Sequence, residues 1–293
     1  MTQPPPPNSQ TAQHLAEAAA LVYTYQATTQ KLRDQLTGFL TALWRSLGTY
    51  RNAQMGQFVS QAVPVVTGAQ QQMASLTAAY LAQHQATALG SPFRPAAVDP
   101  AKVTGAAARN GTDPAEVYGR PFHLVWRQLA DLPNEPGSIE KAIQAGEDRA
   151  VQTGLTDLQL TKVRTSQDVL THDPRVTGYR RVLEGAYSCA LCVVAASGRY
   201  HKAQLAAIHP ACDCSVSPIY GAHDPWQGPD DAALTAAHAA IADQFGHSSS
   251  AARLIPGGDG TQYRDVLITH DHGELGPVLG IRGRPFTGPN DLG

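Results

Sequence analysis

Sulfur, charge and long apolar runs are all scarce in this chain of 293 residues. Charged residues make up 16% of it, with 22 Lys and Arg against 24 Asp and Glu, a formal net charge of −2. A chain with no basic excess has little with which to neutralise phosphates, which argues against a dedicated nucleic-acid binder. No apolar run approaches the ~18 residues of a membrane span, so no membrane partner is expected. The opening MTQPPPPNSQ lacks the basic and apolar regions of a secretion signal. Residence in a cytosol, where thiols stay reduced, is the expectation. So weakly charged a surface suits burial against other subunits.

What is present is mostly helical pattern. A register of Leu15, Ala18, Val22, Tyr25, Thr29, Leu32, Leu36, Phe39, Leu43 and Leu47 steps by threes and fours, one stripe along a long helix that ends at or near Gly48. It reads as a bundle helix, with an oligomeric coiled coil as the alternative. A second helical region, Met55 to Leu89, contains Pro64, expected to kink or split it. Prolines at 92, 95 and 100 mark a linker. Asp113, Pro114 and Glu116 then read as N-cap, first helical residue and capping-box partner of a helix running to about Leu132. Another helix is expected from Ser138 to near Gly154, and a third opens at the Thr156–Gln159 capping box and stops before HDP. After Pro174 the period changes, and VTGYRRVL and CSVSPIY read as short strands. One more helix, DDAALTAAHAAIADQFG, precedes a flexible segment and a hairpin of YRDVLITHDHG and GPVLGIRG turning through ELG. The fold class is α+β. Its parts are a helical hairpin or bundle over 1–90 with a disordered proline-rich start, a linker over 91–112, a mixed domain over 113–246, and a flexible segment with a C-terminal hairpin over 247–293.

All four cysteines fall in CALCVVAASGRYHKAQLAAIHPACDC, from Cys189 to Cys214. A C-x2-C turn lets two thiolates converge on one cation, and Cys212 and Cys214, two apart on an extended strand, share one face. With His209 there are five donors, Cys189, Cys192, His209, Cys212 and Cys214, for a tetrahedral ion that needs four, and zinc prefers such a set. A structural zinc knuckle is the favoured reading. Paired disulfides, isolated buried thiols, and a nucleophile formed by Cys189 or Cys212 with His209 or His201 are its alternatives.

HPACDC is similar to the HP-x-CRC signature of the MuF-like domain of tailed-phage minor head proteins. In KVRTSQDVL, Arg164 and Thr165 match that family's upstream Arg-Thr pair, and GYRRVLEGAYSCALC matches its strand and first cysteines. The tail HDHGELGPVLGIRGRPFTGP resembles the C-terminus of a subgroup from phages of actinobacteria, labelled minor capsid protein or capsid maturation protease. The likeness spans about 105 to 293. Ser166 stands where the family has an acidic residue, and Asp213 where it has the arginine of CRC. The resemblance implies a MuF-like α+β domain that works in the host cytoplasm during assembly and ends in the virion head interior. Its partners would be portal, scaffold or major capsid protein, with a weak contact to packaged DNA through Arg282 and Arg284.

The protease label calls for catalytic groups. His270, His272 and Glu274 would alternate onto one face of a strand and could form an acid/base or metal site, or simply a polar edge. Neither H-E-x-x-H nor G-x-S-x-G occurs. Arg164 reads as a structural pin under the strands. Two functions follow from the sequence: a non-enzymatic minor head protein acting near the portal, favoured for want of a strong catalytic motif, and a maturation protease cleaving scaffold or capsid subunits.

Overall fold

The computed structural model describes residues 9–131, 136–183, 190–205, 212, 214–226, 267–271, 273–275 and 277–281, with positions 232, 235, 236 and 239. The described part is mostly helical with a small antiparallel sheet, an α+β arrangement. None of its helices is long and apolar enough to cross a membrane.

Helices α1 (Ser9–Arg45) and α2 (Asn52–Ala88) form an antiparallel hairpin. Gly48, at φ +67°, makes the left-handed step in the turn between them. The buried stripe of α1 runs Ala18, Val22, Tyr25, Thr29, Leu32, Leu36, Leu40, Leu43 and Trp44, close to the expected register. Pro64 does not interrupt α2, whose helix is continuous on both sides of it. A short α3 (Gly105–Ala108) leads into α4 (Pro114–Asp131). The Asp113 side chain accepts from Ala115 N at 2.9 Å, whereas Glu116 pairs with Arg120 four residues on.

The two helices expected after Ser138 are one. Helix α5 (Ser138–His172) passes through Gly154 and through the expected capping box at Thr156. The glycine marks a close approach and not a stop: a Cβ on Gly154 would meet Leu40 Cδ1 at 2.6 Å. Gly146 likewise lies against the Trp44 ring, and a Cβ there would meet Val125 Cγ2 at 2.6 Å. Thr156 donates to Gln152 O at 2.7 Å within the helix instead of capping a new one. Two glycines thus let α1 and α4 press onto the middle of α5.

The linker at 91–112 does not separate two cores. Leu36, Leu40 and Trp44 of α1, Phe58 and Met73 of α2, Phe122 and Val125 of α4, and Ala150 and Leu158 of α5 are buried in one cluster. Helices α1 and α2 therefore bury their apolar face against α4 and α5, and 91–112 is a connection across one four-helix bundle.

Strands β1 (Gly178–Val182), β2 (Tyr200–His201) and β3 (Ser215–Ile219) form an antiparallel sheet in the order β2-β1-β3, with helix α6 (Ala190–Ser197) between β1 and β2. Pro218 is tolerated because β3 is an edge strand. Tyr179, Val182, Val216 and Tyr220 pack against Ala18, Val22, Tyr25, Tyr80 and Leu170, so the sheet caps the bundle end opposite Trp44. The expected C-terminal hairpin is present as β4 (Leu267–Asp271) and β5 (Pro277–Ile281), with Asp271 opposite Pro277. The helix expected at 230–246 lies largely outside the described residues.

Candidate metal centre and buried polar networks

Cys192 sits in the first turn of α6, and Cys212 and Cys214 lie just before β3. Pairing of β1 with β3 and packing of α6 on β1 bring these distant stretches together. The three thiols are buried, and their Sγ atoms all lie within 4.8 Å of one another. Cys192 and Cys212 are 3.6 Å apart. Three buried thiols so placed could hold a metal ion. Cys189 and His209, the other two expected donors, lie outside the described residues. His201, offered as a base for a cysteine nucleophile, instead caps a turn of 3-10 helix: its Nδ1 accepts from Ala203 N at 3.3 Å.

The expected trio of His270, His272 and Glu274 is not a single strand face. Strand β4 ends at Asp271, and Gly273 turns the chain with φ +71° before Glu274 is reached. His270 pairs with Val278 across the hairpin, and His272 lies outside the described residues. Glu274 is engaged elsewhere: one carboxylate oxygen accepts from Arg109 Nη1, the other from Arg120 Nη1 at 2.6 Å.

This contact opens onto a network that sequence reasoning missed. Arg109, only 4% exposed, donates through Nε to Asp157 Oδ1 at 2.5 Å and through Nη2 to Thr153 O at 3.2 Å. Tyr118 donates to the other Asp157 oxygen at 2.6 Å. Burial pushes the Asp157 carboxyl up, against the opposing pull of Arg109 and Tyr118. Burial also favours the neutral form of Glu274, but Arg120 and Arg109 outweigh it and hold that carboxyl below its ordinary value. Nothing in the TDLQLTK sequence marks Asp157 as buried; its burial follows only from the packing of α5, which is enclosed from Thr156 to Lys162. Arg164 pins this region and not the strands: Nε donates to Ala108 O at 2.8 Å and Nη2 to Asn110 Oδ1 at 2.7 Å.

A third polar feature joins bundle to sheet. His84 of α2 is fully buried, with Nδ1 3.1 Å from the Tyr220 hydroxyl and Nε2 3.3 Å from Ser217 Oγ. Burial lowers its pKa to about 3, so the ring is neutral and can donate through only one nitrogen. Tyr80 adds a bond to Val216 O at 2.9 Å. These contacts fasten β3 to α2, and Ser217 is wholly buried, which denies it to any substrate. Compared with protein-family models, with curated proteins and with solved structures, the chain matches none.

Proposed function

We propose that the chain is a minor capsid protein of the MuF-like kind, a structural head-morphogenesis component of a tailed phage that acts in procapsid assembly near the portal. Its cysteine cluster holds a structural zinc ion. The observation that carries the reading is the convergence of Cys192, Cys212 and Cys214 beside β3, in the part of the chain whose HPACDC and Arg-Thr motifs carry the resemblance.

The donor set fits zinc. Tetrahedral Zn–S bonds of about 2.3 Å put neighbouring sulfurs roughly 3.8 Å apart. The spacing of Cys192 and Cys212 is 3.6 Å. Cys189 and His209 supply candidates for the fourth position, since Cys189 directly precedes α6 and His209 lies three residues before Cys212. When bound, the ion supplies a crosslink between α6 and the approach to β3. A structural role, as against proteolysis, is supported by the use already made of the candidate groups. The Glu274 carboxylate is taken up by two arginines, and the three described thiols are buried.

The test is made in assembling heads. His270→Ala combined with His272→Ala leaves the termini of scaffold and capsid subunits as in wild type by mass spectrometry, and the protein is still incorporated. Loss of processing with normal incorporation would assign the maturation-protease function instead. Elemental analysis of the purified full chain gives close to one zinc per chain, and Cys192→Ser with Cys212→Ser removes it. Stoichiometric disulfides in place of metal would overturn the zinc assignment.

A further inference from the structure

The turn of the C-terminal hairpin meets the helices at three complementary points. The Glu274 carboxylate lies between Arg109 and Arg120, and the Gly273 carbonyl accepts from Asn110 Nδ2. Leu275, 8% exposed, packs with Ala108 and Leu160. The receiving surface is built independently of the turn. Asp157 and Thr153 O fix Arg109 from the far side, while Arg164 holds the backbone at Ala108 and the side chain of Asn110. Asn110 takes the left-handed conformation, φ 51°, which an asparagine accepts readily and which forms part of the turn presenting it.

Charge makes this surface selective. Arg109, Arg120, Arg149 and Arg164 stand at this surface with the carboxylates of Asp157, Glu116 and Glu274. Without Glu274, four positive groups face two negative ones, a positive excess in a half-buried recess beside an apolar pocket. Such a recess fits a carboxylate followed by an aliphatic side chain, the order of Glu274 and Leu275.

We propose that Arg109, Arg120, Asn110 and the Ala108–Leu160 recess form a socket for an acidic Glu-Leu turn, filled by the chain's own C-terminal hairpin, which is thereby a detachable strap on the bundle. The hairpin is docked while Glu274 occupies the socket and leaves as a unit when that carboxylate is removed. This inference rests neither on the metal nor on the head-protein reading.

Hydrogen exchange of the full chain at neutral pH tests it. Glu274→Gln speeds exchange of peptides covering 267–281 by about tenfold or more, while peptides from α4 and α5 exchange as in wild type. Glu116→Gln, which strips Arg120 of its other carboxylate without touching the turn, leaves the hairpin unchanged. A labelled peptide of sequence DHGELGP then binds the Glu274→Gln chain but not the wild type, and its Gln counterpart binds neither. Equal hairpin exchange in wild type and Glu274→Gln, equal acceleration by Glu116→Gln, or loss of helix protection along with the hairpin would each overturn the strap. Failure of DHGELGP to bind the released variant would overturn the socket.

Discussion

The two ends of the bundle are held by different physics. At one end Trp44, Phe58 and Phe122 are fully buried, with ring centroids 4.8 to 5.7 Å apart. Trp44 spends its one donor on Ile143 O at 3.1 Å, so the cluster carries large apolar area with its polar atom satisfied. At the other end the sheet contributes only short strands, and it is joined to the helices through buried His84, Tyr80, Ser217 and Tyr220. There the thiol cluster lies between α6 and β3. A helix pair can close on itself through apolar area alone. A three-stranded sheet of two- and five-residue strands buries less and depends more on polar ties.

Substitution in the aromatic end sharpens this contrast most. Phe122→Ala removes a ring at the junction of α1, α2 and α4, and is expected to lower global stability by about 3–5 kcal/mol in denaturant unfolding. Sheet and helix signals fall together, because all four long helices share that core. Separate transitions for 1–90 and the remainder would restore the division at the linker.

Removing the proposed zinc would act on the opposite end. Chelation of protein kept at a hundredfold over its metal Kd withdraws about 2.7 kcal/mol of stabilisation. Proteolysis should then open the region around 178–219 while α1, α2, α4 and α5 stay protected. Uniform loss of protection across bundle and sheet would show that the cap is not a separately crosslinked unit.

The remaining effect is set by pH and by a single residue. Burial depresses His84 from 6.5 to about 3, so in that interval the unfolded chain binds a proton that the folded one refuses. Stability from this residue is present above pH 6.5 and falls as pH drops toward about 3, by at most about 1.4 kcal/mol per unit. His84→Gln should flatten that part of the stability profile, measured against the same fall in wild type. An unchanged slope would mean that His84 already titrates normally in the folded chain.

Periodicity made α1 legible almost residue by residue, since one face of a long amphipathic helix must meet the core whatever its partner. The cysteine spacing was legible for a similar reason: thiols confined to one short stretch must meet if they serve one ion. Gly154 and the Thr156–Gln159 box misled, because a glycine that admits Leu40 and a threonine bonded to its own helix look in sequence like a stop and a start. Glu274 misled in another way. Alternation assumed a strand through 274, but Gly273 turns first.

The sequence by itself determined the helical character, the α1 register, the strands beside the cysteines and the C-terminal hairpin, all of which depend on neighbours a few residues apart. Tertiary structure alone decided that the helices on both sides of 91–112 form one bundle. It also decided that Asp157 meets Arg109, 48 residues away, and that Glu274 joins them from 165 residues away. Local spacing encodes which face of an element is apolar, but a buried charge finds its partner only after the chain has folded around it.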